Sequence, residues 1–195
     1  MSKKNEIRLS DVEIGKTFEG ADGVKRILLD LLPDGRALTL TRGFVFENEV
    51  FDFDSNNYAA SRVKKRLETE ILSGVEKAFG AENVIEFEID LLSDDGLDTY
   101  GKVNTKCGLL TSAQYRKYSR LIYPYSVNDW WWLADALSTT ERGYKYPVRV
   151  VASGGYVITT SVTSVAVSVR FVSLNLTSLY LVIEEGHKFE QNVYC

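Results

Sequence analysis

Along the chain the apolar positions change period several times, and each change predicts an element. "VKRILLDLL" (24–32) is apolar-rich, "PDGR" (33–36) carries Pro and Gly turn chemistry, and "ALTLT" (37–41) alternates with period two. Two strands around a tight turn follow. "FVFENEVFDF" (44–53) continues as strand or extended loop, its aromatic and β-branched residues set among acids. Spacings of four then take over. Val63, Leu67 and Ile71, with Leu72 beside them, share one face of a helix whose N-cap is Ser61. Arg62, Lys64, Lys65, Arg66, Glu68 and Glu70 decorate the other face. The two acids neutralise the basic run, which favours a solvated face over a nucleic-acid patch. Gly74 interrupts the pattern, and "VEKAFG" reads as one last short turn ended by Gly80.

"AENVIEFEIDLLSDDGLDTYG" (81–101) is a strand followed by an acidic, Gly-containing turn. Cys107 to Leu110 read as a strand end. Thr111 then caps a second helix, and Gln114 three residues on completes a capping box. Tyr115, Tyr118, Leu121 and Ile122 form its buried face. Beyond residue 129 the helix signal stops. The chain becomes β-branched, aromatic and Gly-punctuated, as short strands require. "VRVVASGGYVITT" (148–160) predicts a hairpin turning at Ala152 to Gly155. If residues 130–132 are a strand, Trp130 and Trp132 face one way and Trp131 the other. Three exposed indoles in a row would invite aggregation, so at least one face is core. The expectation is a single α+β domain over residues 1–195, with two main helices and short, mostly antiparallel strands. Residues 1–6 and 187–195 read as flexible polar ends.

Composition narrows the function. The 195 residues are 45% hydrophobic and 26% charged, the balance of a globular chain able to bury a sizeable core. A formal net charge of −4 argues against non-specific binding to nucleic acid or anionic membrane. No apolar run reaches the roughly 18 residues of a membrane span, and the N-terminal segment has no apolar h-region. Cytoplasmic synthesis without a signal peptide is expected, with export by lysis or within a virion. Membrane insertion is not expected.

No motif names a reaction. The only histidine, His187, lies in the polar C-terminal segment, so a triad built on it is disfavoured. P-loop, zincin, dinucleotide and nucleophile-elbow signatures are missing. Cys107 and Cys195 make neither a disulfide framework nor a metal cluster; the first reads as a buried thiol and the second as an exposed one. Asp94, Asp95 and Asp98 lack the order of a calcium loop, and Asn128–Asp129 beside Trp130 matches a lectin calcium motif only with its order scrambled. No cofactor and no metal are expected.

An ordered series of segments does resemble a family. "NNYAASRVKKRLETEIL", "VIEFEIDLLSDDGLDTYGKV", "CGLLTSAQYRKY", "WWWLADALST", "VRVVASGGYV" and "VSVRFVSLNL" follow one another over about residues 16 to 183. They are similar to an uncharacterised family of short proteins from gut Firmicutes and their phages and prophages, with WWL and GVRP motifs. Here Ser168 and Phe171 stand where GVRP has Gly and Pro. The resemblance implies a C-type-lectin-like fold, related to sulfatase-modifying factors and the variable proteins of diversity-generating retroelements. In such folds the WWL and GVRP segments are core strands and the loops make the ligand surface. "ITTSVTSVAV" (158–167) would be the variable stretch; an ordinary strand is the favoured reading of those residues, since Thr, Val and Ile are good strand formers.

The expected role is a non-enzymatic ligand-binding protein of phage or prophage type. Its surface would comprise Ser138, Thr140, Glu141, Tyr144 and Tyr146 before the hairpin turn, and Tyr156, Ile158, Thr160, Ser161 and Thr163 after it. The partner would be a host surface protein or a glycan, and a homo-oligomer is compatible with that. Two rivals stand: an intracellular inhibitor of a host defence system, using "EFEIDLLSDDGLD" to imitate phosphates, and a carbohydrate-active enzyme using a pair of acids.

Overall fold

The computed structural model describes residues 4–125, 129–165, 167–169, 172–175 and 180–184. The strands are β1 (Lys4–Arg8), β2 (Thr17–Glu19), β3 (Lys25–Leu31), β4 (Ala37–Thr41), β5 (Val84–Ile85), β6 (Phe87–Asp90) and β7 (Lys102–Thr105). They continue as β8 (Trp130–Ala136), β9 (Pro147–Val151), β10 (Val157–Ser161), β11 (Val167–Ser168), β12 (Val172–Asn175) and β13 (Tyr180–Glu184). One sheet has the order β2-β3-β4-β12-β5 and a second the order β10-β9-β8-β11; β1-β13 and β6-β7 are ribbons. Among the described strands only the β8–β11 pair is parallel. The described residues form a mixed α+β structure with two main helices and several short, mostly antiparallel sheets. Lys4 to Glu6, expected in a flexible end, pair in β1 against β13. The expectations for 187–195, His187, Cys195, Asn128 and Phe171 fall outside the described residues.

The first helix starts where its cap predicts. Ser61 Oγ accepts the Lys64 N–H at 3.2 Å, satisfying one of the orphan donors of the first turn. α1 (Arg62–Arg66) then passes through a π-helical turn, Leu67–Ile71, into α2 (Leu72–Phe79). The wider turn moves the apolar stripe by one residue. Val63 is buried before it, Leu67 at its first residue, and Val75 and Phe79 after it, while Leu72 is only half-buried. Gly74 does not break the helix, because burial of Val75 and Phe79 on either side of the next turn outweighs its propensity cost of about 1 kcal/mol. The basic run finds local acids. Arg62 and Arg66 both reach Glu49, Arg66 also Glu70 at 2.7 Å, and Lys64 pairs with Glu68 at 2.6 Å.

The second helix, α3 (Ser112–Ile122), carries the capping box in full. Thr111 Oγ1 accepts the Gln114 N–H, and Gln114 Oε1 accepts the Thr111 N–H. Tyr115, Tyr118 and Ile122 are buried and Leu121 is half-buried. Cys107 to Leu110 form no strand; they run as irregular buried chain, and Leu110 O accepts the Ala134 N–H of β8. That bond falls inside a bulge of β8 between Trp132 and Ala136. The bulge turns Asp135 toward the start of α3, where its carboxylate accepts the Ser112 N–H at 2.5 Å.

β8 is covered on both faces. Trp131 meets the edge of the Tyr115 ring at 5.5 Å between centres. Trp132 packs on Phe51 at 5.4 Å, and its Nε1–H donates to Glu49 O at 2.8 Å. The pleat therefore holds: Trp131 points to α3 and Trp132 to the opposite layer. Trp130 shares the side of Trp132 but lies at the strand's end, 38% exposed.

Candidate functional site

The loop joining β8 to β9 is fixed from below by one buried amide. Asn56 is fully buried. Its Nδ2 donates to Ser138 O at 2.9 Å and Pro147 O at 2.8 Å, with Tyr144 O further off at 3.3 Å. Its Oδ1 accepts the Tyr100 hydroxyl at 2.6 Å, and that oxygen in turn accepts the Thr140 N–H at 3.1 Å. A side chain with two N–H donors and a carbonyl acceptor suits this place, where loop carbonyls converge.

A second clamp comes from the acidic turn after β6. Asp95 accepts hydrogen bonds from the Ser93 and Ser138 hydroxyls and pairs with Arg142 at 2.9 Å. These hydroxyl donors, first, and then Arg142 hold its carboxyl below the usual range. Thr99 Oγ1 donates to Glu141 at 2.7 Å, so Thr139, 2.9 Å from the same oxygen, is the donor to it. Asp94 meets Arg116 at 3.1 Å and Arg149 at 3.5 Å. The turn is thus internally engaged and supports residues 138–142. Among the described residues no group of three or more His, Cys, Asp or Glu side chains could hold a metal.

Above these clamps lies an exposed aromatic patch. Val162 O accepts the Phe51 and Asp52 N–H groups, and the Val162 N–H donates to Tyr146 O. This brings three segments together: 52–54, 144–146 and 161–165. Phe53 (67% exposed), Tyr144 (50%), Tyr146 (42%) and Val165 (64%) stand out from them. Asp52 folds the first segment. Its Oδ1 accepts the N–H groups of Phe53, Asp54 and Ser55, and its Oδ2 that of Arg62. Partial burial raises the Asp52 pKa, but the four backbone donors outweigh it and the net direction is down. Lys145 bridges the segments, 2.6 Å from Asp54 and 4.8 Å from the centre of the Tyr146 ring. The Asp54 hydrogen bond raises its ammonium pKa. Arg62 lies over the Phe53 ring at 5.5 Å.

The residues expected on the ligand surface divide. Thr140, Glu141, Tyr144, Tyr146, Ser161 and Thr163 are exposed at this end of the β9–β10 hairpin. Ser138 is a correction: it is 4% exposed, because its hydroxyl is drawn inward to Asp95. Ile158 and Thr160 are half-buried, on the hairpin side that carries the buried Val150 and Val148. Tyr156 is exposed beside the turn, five residues from Ser161, or roughly 17 Å along a strand. It does not belong to the same patch. Phe53 and Asp52 were missed. An Asp at the first position of "DFDS" is an Asx-turn signal that marks 52–55 as a turn rather than strand.

The fold and this surface define a mixed α+β protein that presents aromatic rings and hydroxyls on clamped loops. Comparison with protein-family models, with curated proteins and with solved structures returns no match.

Proposed function

We propose that this chain is a non-enzymatic ligand-binding protein of phage or prophage type, built on a C-type-lectin-like scaffold, with the patch around Phe53, Tyr144, Tyr146, Ser161 and Thr163 as its binding surface. The observation that carries the reading is the buried Asn56, which ties two carbonyls, Ser138 O and Pro147 O, at the ends of the presenting loop. Rigid rings with few rotatable bonds, flanked by small hydroxyls, bind with little loss of side-chain entropy. The partner class is a host surface protein or a glycan, and a homo-oligomer would add avidity. The ordered motif series supports the lectin-like and phage attributions. Exposure of Thr163 and Val165 is compatible with diversification of residues 158–167 by a retroelement.

The defence-inhibitor reading is weaker, because three of the six acids in its segment are engaged. Glu88 pairs with Lys102, Asp94 with Arg116 and Arg149, and Asp95 with Arg142. The test is a combined host-surface-protein and glycan array probed with the wild type and with Tyr144→Ala/Tyr146→Ala. The expected result is a saturable binder that the double variant loses by about 2 kcal/mol or more, or about thirtyfold. Absence of any micromolar binder, or a binder indifferent to both substitutions, overturns the reading.

A further inference from the structure

A cavity of about 740 Å³ opens where β3 starts and β4 ends, walled by the π-helical turn of the first helix and the segment following α3. It shares no lining residue with the aromatic patch. Its lining includes Lys25, Arg42, Gly43, Phe44, Ile71 and Tyr125, and no acid. Arg26 and Thr41 are register partners in the β3–β4 ladder, and the Arg42 N–H donates to Lys25 O at 2.8 Å. Lys25 and Arg42 are therefore the next cross-strand pair, two like charges side by side at the mouth of one cavity. Such a pair is repulsive by itself. No ion pair among the described residues involves either of them. Arg42 is nonetheless oriented. Its guanidinium lies 5.3 Å from the centre of the Tyr125 ring, and the Tyr125 hydroxyl is anchored by donating to Gly15 O at 3.2 Å. A Cβ built on Gly43 would meet nothing within 4 Å, so the cavity is open at its cationic end.

We infer that this cavity binds a small phosphomonoester carrying an aromatic body, with its dianion between Lys25 and Arg42 and its ring against Phe44, Ile71 and Tyr125. Two adjacent cations match the charge of roughly −2 on a phosphomonoester, and the Arg fork and Lys point charge are complementary phosphate donors. The apolar walls supply the rest of the contact. The volume lies within the range of about 300–1,000 Å³ usual for small-molecule sites.

Isothermal titration of the full chain with phenyl phosphate and with AMP tests the inference, with inorganic phosphate and phenol as partial ligands. Binding tighter than about 1 mM is expected for at least one of the two esters, about tenfold or more tighter than either partial ligand. The two esters separate a general aromatic phosphate from a nucleotide; saturation by either supports the site, and by neither overturns it. Lys25→Gln and Arg42→Gln should each weaken binding about tenfold. Lys25 also faces Glu19 across the β2–β3 ladder and Arg42 stacks on Tyr125, so relief of the like-charge pair is offset and neither substitution should move the ligand-free thermal midpoint appreciably. Gly43→Glu should abolish binding by setting a carboxylate between the cations, without lowering the midpoint. Undiminished binding in the Lys25→Gln/Arg42→Gln double variant, or inorganic phosphate binding as tightly as the esters, overturns it.

Discussion

Replacing Asn56 by Asp keeps the shape of the side chain and reverses what it offers the loop. The Nδ2 group that donates to Ser138 O and Pro147 O becomes an oxygen facing those same carbonyls. Two short donor bonds are lost, and the third contact, to Tyr144 O at 3.3 Å, is weak enough to neglect. The Tyr100 hydroxyl keeps an acceptor. Ser138 O is left unpaired, Pro147 O keeps only the Leu137 N–H at 3.3 Å, and a charge is placed in a buried site, each unpaired group costing about 1–3 kcal/mol. A loss of about 4 kcal/mol follows, a large fraction of the 5–15 kcal/mol typical of a domain. Asn56→Ala removes the same bonds without adding a charge and should cost about 3 kcal/mol. Urea denaturation with an unchanged slope measures both losses. Amide exchange then locates them: the Thr140 and Arg142 amides, bonded to Tyr100 and Thr139, should lose protection in both variants. If Asn56→Asp costs less than about 1 kcal/mol, or exchange rises everywhere except residues 138–147, the amide does not hold the loop and the argument for a preorganised patch fails.

Other substitutions probe the scaffold. Trp132→Ala empties a fully buried site and strands the Glu49 carbonyl, so a loss of about 4 kcal/mol in urea denaturation is expected, against under about 1 kcal/mol for Trp130→Ala. Burial pushes the Asp135 carboxyl above its ordinary range. An acid whose folded pKa is raised stabilises the fold less as pH climbs from the ordinary carboxylate value through the folded one. Asp135→Asn, which still accepts the Ser112 N–H, should therefore gain stability relative to the wild type as pH rises above the ordinary carboxylate value; a constant difference across that rise refutes the assignment. Asp52 has the opposite sign. Its folded pKa is lowered, so its contribution is present above the ordinary carboxylate range and is lost as pH falls through the folded value, a slope that Asp52→Asn should remove. The Cys107 thiol is buried, and burial raises its pKa. In a Cys195→Ser background it should stay unreactive to a thiol reagent until the chain unfolds.

What the sequence made legible is what short-range chemistry decides. The Thr111–Gln114 box, the Ser61 cap, the Gly35 and Gly155 turns and the opposed faces of Trp131 and Trp132 each depend on neighbours within about four residues, where spacing is informative. The clamps on the presenting loop depend on pairs such as Asn56 with Ser138 and Pro147, which are 82 and 91 residues apart. Nothing near Asn56 marks it as more than a polar residue before a helix. Ser138 was misplaced for the same reason: in a Ser-Thr-Thr run it looks like surface, and only the distant Asp95 turns it inward. The π-helical turn escaped because Leu67, Ile71 and Leu72 satisfy an ordinary α-helical stripe; the shift shows only once Val75 and Phe79 find the core.

Several polar groups here sit under loops, from the fully buried Asn56 to the more exposed Asp95 and Thr99, a placement that bears on function more than any single patch residue does. Asn56, Tyr100, Asp95 and Thr99 meet residues 138–147; Asp52 folds 53–55; Asp135 joins the bulge of β8 to α3. A core selected for stability alone gains little from such groups, since each must recover its desolvation through well-formed hydrogen bonds. Placed under loops, they fix backbone that apolar packing cannot, because apolar contacts do not specify direction. The loops so fixed end in Phe53, Tyr144 and Tyr146, whose rings face solvent and stabilise the fold little. Ordered support beneath rings left in water is the arrangement expected where recognition, rather than folding, sets the position of those side chains.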